Sequence, residues 1–328
     1  MSFSVRVSGQ AGAGKGLAPE LMEWSAFGTY RKAHFSVNAD QFPDLQACLA
    51  REIEVYDRFG ELVWQGVISK MRQSRASCSM RWDLESLANR VLAIYHEPGA
   101  PQTLEQSVWV EDRASQAGFG IHEKVLRLGQ CRGESAVELA RAYLKAYAWP
   151  VARLANAVGA AETQLEARGW YESLAWRNVD LDSGLAAFVD PGTGTVGLSD
   201  CLERIFGTCG GNLAGWSFIG DAGARVQWPG WPLADGLSQL KRLAALLQAS
   251  GQRLKISLDP RRHCRIELLA NQPGEVLAQI DLDGRIRSLQ GALLSEGRCP
   301  LGAIWRCAGQ DIWVENLRWQ PGSGTWVF

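Results

Sequence analysis

A period of two is the feature that most limits what this chain can fold into. Across the first hundred residues apolar and polar side chains alternate in short runs, Phe3/Val5/Val7, Phe35/Val37 and Ile53/Val55, and Gly, Asn or Asp closes each run. Alternation sends successive side chains to opposite faces, so these runs read as short antiparallel strands with one face buried. Residues 51–56 and 62–68 flank Asp57-Arg58-Phe59-Gly60, and a glycine late in a four-residue loop supplies the positive φ of a hairpin. Another strand is predicted over 78–82.

Helical spacing then interrupts the strands. Asp83 opens a predicted short helix over 83–91 through Leu84, Leu87 and Val91, and Glu97-Pro98-Gly99-Ala100-Pro101 breaks the chain. Helices are predicted over 104–117 and 136–147, the second with a capping box from Ser135 and Glu138 and an apolar face of Val137, Ala140, Tyr143, Leu144 and Tyr147. The strand pattern resumes from Thr163 into residues 169–177. Residues 200–206 read as a short helix capped by Ser199 and ended at Gly207. The longest amphipathic helix is predicted over 235–250, with Leu237, Leu240, Leu243 and Leu247 on one stripe and Gly251 at the C-cap. Strands over 253–258, 264–269 and 276–280 follow, then a last hairpin of 303–307 and 311–319. These shifts divide the 328 residues into a β-domain 1–96, a helical insertion 97–160, a second β-domain with helices 161–251 and a β-rich segment 252–328 expected to complete the second domain. The fold class expected is α+β, predominantly antiparallel β.

Charge and motifs remove several functions. Lys and Arg (34) nearly balance Asp and Glu (35), so no net positive field drives non-specific binding to nucleic acid. The start lacks the apolar block of a signal peptide, and no apolar run reaches membrane-spanning length, which predicts an intracellular product without a membrane span. The eight cysteines contain no CxxC pair and read as small buried groups rather than a zinc site. Gly9-Gln10-Ala11-Gly12-Ala13-Gly14-Lys15-Gly16 approximates a phosphate loop, but glycine replaces the magnesium-binding hydroxyl and Pro19 follows, so a plain loop is expected. His34, His96, His122 and His263 have no metal-ligand spacing and read as surface or half-buried. No GxSxG elbow occurs. Asp180, Asp182 and Asp190 lack the remainder of a calcium loop and read as turn residues. The sequence singles out no catalytic, cofactor-binding or metal-ligating residue. Trp64, Trp82, Trp170, Trp176, Trp305, Trp313, Trp319 and Trp326 stand mainly in predicted strands, where they pack cores or subunit contacts; a sugar cleft of tryptophans and carboxylates is the competing reading.

One phrase occurs twice. Trp82-Asp83-Leu84-Glu85-Ser86-Leu87-Ala88-Asn89-Arg90 is echoed by Trp170-Tyr171-Glu172-Ser173-Leu174-Ala175-Trp176-Arg177. Chance and duplication of a β-domain both accommodate a single echo.

Together with Glu54-Val55-Tyr56-Asp57-Arg58-Phe59-Gly60, Trp109-Val110-Glu111-Asp112-Arg113-Ala114-Ser115-Gln116-Ala117-Gly118-Phe119-Gly120 continuing to Glu123-Lys124, and the predicted helix over 235–250 followed by a strand and Asp259-Pro260-Arg261-Arg262, these phrases, in this order over residues 50–320, make the chain resemble tail hub and baseplate proteins of long-tailed bacteriophages. The resemblance implies a non-enzymatic virion protein with two tail-tube-like β-barrel domains, helical insertions and a C-terminal β-rich segment. It implies a homotrimeric ring at the tail tip that continues the tail tube and lets the genome pass, assembled in the host cytoplasm. The partners implied are further copies, the tail tube or distal tail protein, fibre or spike components and, transiently, genomic DNA; no cofactor is implied. A cell-wall hydrolase or needle is expected in a separate chain. The alternatives are a hexameric distal tail protein of the same tip and, from another class, a glycan-binding or glycan-cleaving protein.

Overall fold

The computed structural model describes residues 3–8, 16–38, 46–75, 78–156, 162–228, 230–270, 276–280, 286–290, 292, 303–307, 310–314, 316–320 and 325–327. The chain is mostly antiparallel sheet with a few helices, and among the described residues no sheet closes into a barrel. Among the described residues three neighbouring strand pairs are parallel, each within a smaller sheet.

The largest sheet has ten strands and is organised by the long strand Leu62–Arg75. Its first half pairs with Glu52–Tyr56, whose other edge takes Ser4–Val7. Its second half has Cys78–Asp83 on one side and Glu162–Arg168 on the other. Beyond Glu162–Arg168 come Thr29–Val37, Leu17–Ser25, Asn316–Gln320 and Thr325–Val327, so the C-terminal strands return to the sheet that the N-terminal strands began. Arg153–Asn156 adds an edge to Cys78–Asp83. Alternation sets the faces: Thr163, Leu165 and Ala167 point inward while their neighbours stay accessible. The inward face buries Met22, Phe35, Ile53, Trp64 and Met71, and Ala278, Ile286, Trp305 and Val314 of the four-stranded C-terminal sheet join the same core.

Two further cores lie beside it. The helices Leu198–Cys209 and Gly236–Ala249 pack with the turns of Trp170–Trp176 and the sheet of Gly215–Ile219, His263–Ala270 and Gln252–Leu258. The third core is a small sheet centred on Arg90–Glu97, covered by the helix Gly133–Tyr147, whose Ala136 and Ala140 let it approach Val91, Ala93 and Tyr95 closely.

The hairpin over Gly60 (φ +79°), the helix Gly133–Tyr147 and the helix Gly236–Ala249, with Asp235 accepting from Ser238 N and Gly251 at φ +81°, lie where the sequence placed them. Other elements differ. Residues 83–91 are not helical. The Asp83 carboxylate accepts from Ser86 N at 3.2 Å, as an N-cap does, but the turn stops there and Arg90–Glu97 becomes a central strand. Buried on both faces, that strand has a continuous apolar run, which periodicity does not separate from a helix. Residues 104–117 divide into the strands Ala100–Gln106 and Val110–Glu111 and the helix Arg113–Phe119, because Asp112 caps at Ser115 N. The Ser135/Glu138 box is not formed: the helix starts three residues earlier, and Glu97 Oε1 of the neighbouring strand accepts from Gly133 N at 3.0 Å. Residues 170–176 form 3₁₀ turns instead of extending a strand. The helix predicted over 200–206 runs Leu198–Cys209, with Ser199 and Gly207 inside it. The last hairpin comprises Ala303–Cys307 and Gln310–Val314, and Asn316–Gln320 is a separate strand of the large sheet.

Candidate functional site

The two copies of the repeated phrase meet in space. Cys78–Asp83 and Glu162–Arg168 flank Leu62–Arg75 on opposite sides and both run antiparallel to it, so they run parallel to each other and release both phrases at one end of the sheet. Gly169 permits the second exit, since a Cβ there would lie 1.6 Å from Tyr30 O.

Equivalent positions of the two phrases then converge on the same residues. Arg168 contacts Glu85 Oε1 through Nη2 at 2.9 Å and Glu172 Oε2 through Nη1 at 3.8 Å. Glu123 Oε1 meets Arg90 Nη1 at 2.8 Å and Arg177 Nε at 3.6 Å, while its Oε2 accepts from Asn178 N at 2.7 Å. Between them sits His122: its backbone N–H donates to Asn89 Oδ1 at 2.8 Å, and its ring stacks on Trp176 with centroids 4.2 Å apart. Glu85/Glu172, Asn89/Trp176 and Arg90/Arg177 are thus matched pairs, bridged by Arg168, His122 and Glu123. A cleft of about 490 Å³ runs along this clasp, with His122, Tyr143, Glu172 and Trp176 among its walls. The arrangement fastens the large sheet, the helical core and the small sheet to one another.

Burial lowers the His122 pKa from 6.5 to about 4, although its hydrogen bond to Phe119 O opposes this. The folded protein therefore holds the imidazole neutral where the unfolded chain protonates it. Stability is complete above pH 6.5 and falls as pH drops from there towards 4, by about 3 kcal/mol in total. Burial and Lys32 also lower His34, which acts in the same direction. Urea midpoints measured between pH 7 and 4.5 should fall for the native chain and fall clearly less for His122→Gln; equal slopes would refute the assignment.

The outward face of the large sheet is a lattice of charge. Glu166 is shared by Lys32 Nζ (3.3 Å), Lys70 Nζ (3.5 Å) and Arg168 Nε (3.2 Å); burial raises its pKa, but these cations prevail and hold it below the ordinary value. Arg81 pairs with Asp83 at 2.9 Å, whose carboxyl burial raises but Ser86 and Arg81 hold low. One cross-strand row differs: the register sets Arg72 beside Arg81 and Arg81 beside Arg153. Arg72 and Arg153 meet no carboxylate among the described residues. The row borders a groove of about 490 Å³ that also contains His34 and Ser79.

The other sequence candidates are dispersed. Residues 9–15 of the phosphate-loop approximation lie outside the described residues, and Gly16 leads into the strand Leu17–Ser25. His96 Nδ1 contacts Thr103 O and His263 Nε2 contacts Ser217 Oγ, whereas His122 is buried, contrary to a surface or half-buried reading. Asp180 caps a helical turn, Asp182 accepts from Trp231 N and Asp190 accepts from Gly192 N. Among the described residues no three His, Cys, Asp or Glu side chains gather as a metal site, and no helix is long and apolar enough to cross a membrane. Burial pushes the Cys201, Cys209 and Cys264 thiols up to about 12; Cys78, expected inside, is exposed. Trp64, Trp82, Trp170 and Trp305 fill the chain's own cores, and Trp176 stacks in the clasp. The side chains of Trp313, Trp319 and Trp326 lie outside the described residues.

The sequence singles out neither Arg168 nor the role of His122, and Glu123 stands in it only as part of a phrase that carries the family resemblance. The echoed Glu85/Glu172 and Arg90/Arg177 were the available signal, because matched charges in a repeat need matched partners. No protein-family model matches the chain, and no curated protein matches it in sequence.

Proposed function

We propose that the chain is a structural protein of a long-tailed phage tail tip, the hub, in which three copies form a ring that continues the tail tube and lets the genome through. The observation that carries this reading is the clasp. Matched residues of two copies of one phrase share single partners, as expected of a chain built from two related units, and the resemblance to tail hubs implies that doubling. In this reading the large sheet and the core beside it are the two tail-tube-like units, with the small sheet and its helix as an insertion. Three chains of two units each present six similar faces to a sixfold tube above and three to the parts below. The burial of Trp64, Trp82, Trp170 and Trp305 weighs against a sugar-stacking surface made from those side chains.

The test is imaging of particles labelled on this chain. Label at the tail tip with three copies per ring is expected. Six copies would reassign the chain to the distal tail position, and absence of label from assembled particles would overturn the reading.

A further inference from the structure

Two exposed strands have one edge unpaired among the described residues. Ala100–Gln106 ends the small sheet, pairs only with Arg90–Glu97 among the described residues, and exposes all seven residues. Arg153–Asn156 ends a branch of the large sheet, pairs only with Cys78–Asp83 among the described residues, and exposes Arg153, Leu154 and Ala155. A free edge presents unpaired N–H and C=O groups that another strand can complete.

The two edges are complementary in charge and in side-chain order. Residues 91–110 contain Glu97 and Glu105 and no lysine or arginine; residues 62–82 contain Lys70, Arg72, Arg75 and Arg81 and no carboxylate. Glu105 makes no ion pair among the described residues, and neither does Arg153. Leu104 is 53% exposed and Leu154 71%, large apolar side chains for open strands. An antiparallel pairing of Glu105 with Arg153 sets Leu104 against Leu154 and Thr103 against Ala155. The acidic group then joins the row of Arg72, Arg81 and Arg153 on one face, and the two leucines cover each other on the other. Pro101, which has no N–H to donate, falls outside the four-residue partner strand.

We propose that Ala100–Gln106 of one copy adds to the free edge of Arg153–Asn156 in the next copy, giving the head-to-tail contact of the ring. The inference rests on the ring reading above. The contact is heterologous, so it propagates in one direction and closes only when the rotation per copy divides a full turn.

The test uses two full-length chains in a Cys78→Ser, Cys131→Ser background, one carrying Leu104→Cys and the other Leu154→Cys. Strand neighbours lie within disulfide reach, so oxidation of the mixture should give a cross-linked dimer that neither chain nor the parent background gives alone. Separately, Glu105→Arg and Arg153→Glu should each weaken self-association several-fold, and the double exchange should restore it. Cross-linking of Leu104→Cys with itself, or an uncross-linked mixture whose parent still forms rings, overturns this contact and leaves the ring reading standing. A parent that stays a single chain overturns both. Duplex DNA that blocks the cross-link, through binding lost in Arg72→Ala/Arg153→Ala, would assign the arginine row to nucleic acid and overturn the contact.

Discussion

Glu123→Gln is expected to lower the unfolding free energy by about 3 kcal/mol, near the lower end for breaking a buried ion pair from one side. The Glu123 side chain is 3% exposed, and it is shared by Arg90 and Arg177 from the two phrases. Glutamine keeps an oxygen for Asn178 N but leaves two guanidinium groups converging on a neutral amide. Both arginines are about a quarter exposed, so water offsets part of the cost, which places the value at the low end. Urea unfolding followed by tryptophan fluorescence reads the change, with Glu134→Gln on the exposed first turn of Gly133–Tyr147 as a control expected within about 0.5 kcal/mol. A loss no larger than the control would mean that the clasp does not hold the units together.

Trp64→Ala should cost about 3–5 kcal/mol, the range for deleting a buried aromatic side chain. Trp64 is fully buried on the organising strand, with Tyr30 and Phe35 rings each 6.3 Å away, so truncation opens a cavity at the centre of the ten-stranded sheet. Its indole Nε1 has no hydrogen-bond partner among the described residues, so Trp64→Phe loses area but no polar contact found there and should cost clearly less. Equal losses for alanine and phenylalanine would show that the site collapses around either residue and that Trp64 does not set the core volume.

The part of this fold legible in the sequence is the part governed by local chemistry. Alternation at 3–7 and 51–68, the turn at Gly60 and the Asp235 and Gly251 caps each fix one element from within a few residues. Misreadings arose where a distant partner decides. Residues 83–91 read as a helix, but the turn at Asp83 is short and Arg90 already begins a strand covered on both faces by other strands and a helix. Gly133 begins its helix because Glu97, thirty-six positions earlier, accepts its N–H. The C-terminal strand Asn316–Gln320 lies beside Leu17–Ser25, a pairing across most of the chain that no local pattern encodes. The clasp was half legible. The repeated glutamates and arginines could be read, but Glu123, Arg168 and His122 belong to neither phrase and gain their meaning only when the sheet brings both phrases to one end. The tryptophans show the same limit: frequency in strands does not tell a core from an interface, and those whose burial is defined in the predicted strands 64, 82, 170 and 305 serve the chain's own core.

Self-assembly is the claim on which the functional account stands, and the native mass of the purified chain tests it most directly. The account predicts a closed species of three chains that persists on dilution and loosens as salt screens the charged contact. A mass of one chain, 36.0 kDa, at every concentration and salt would contradict it.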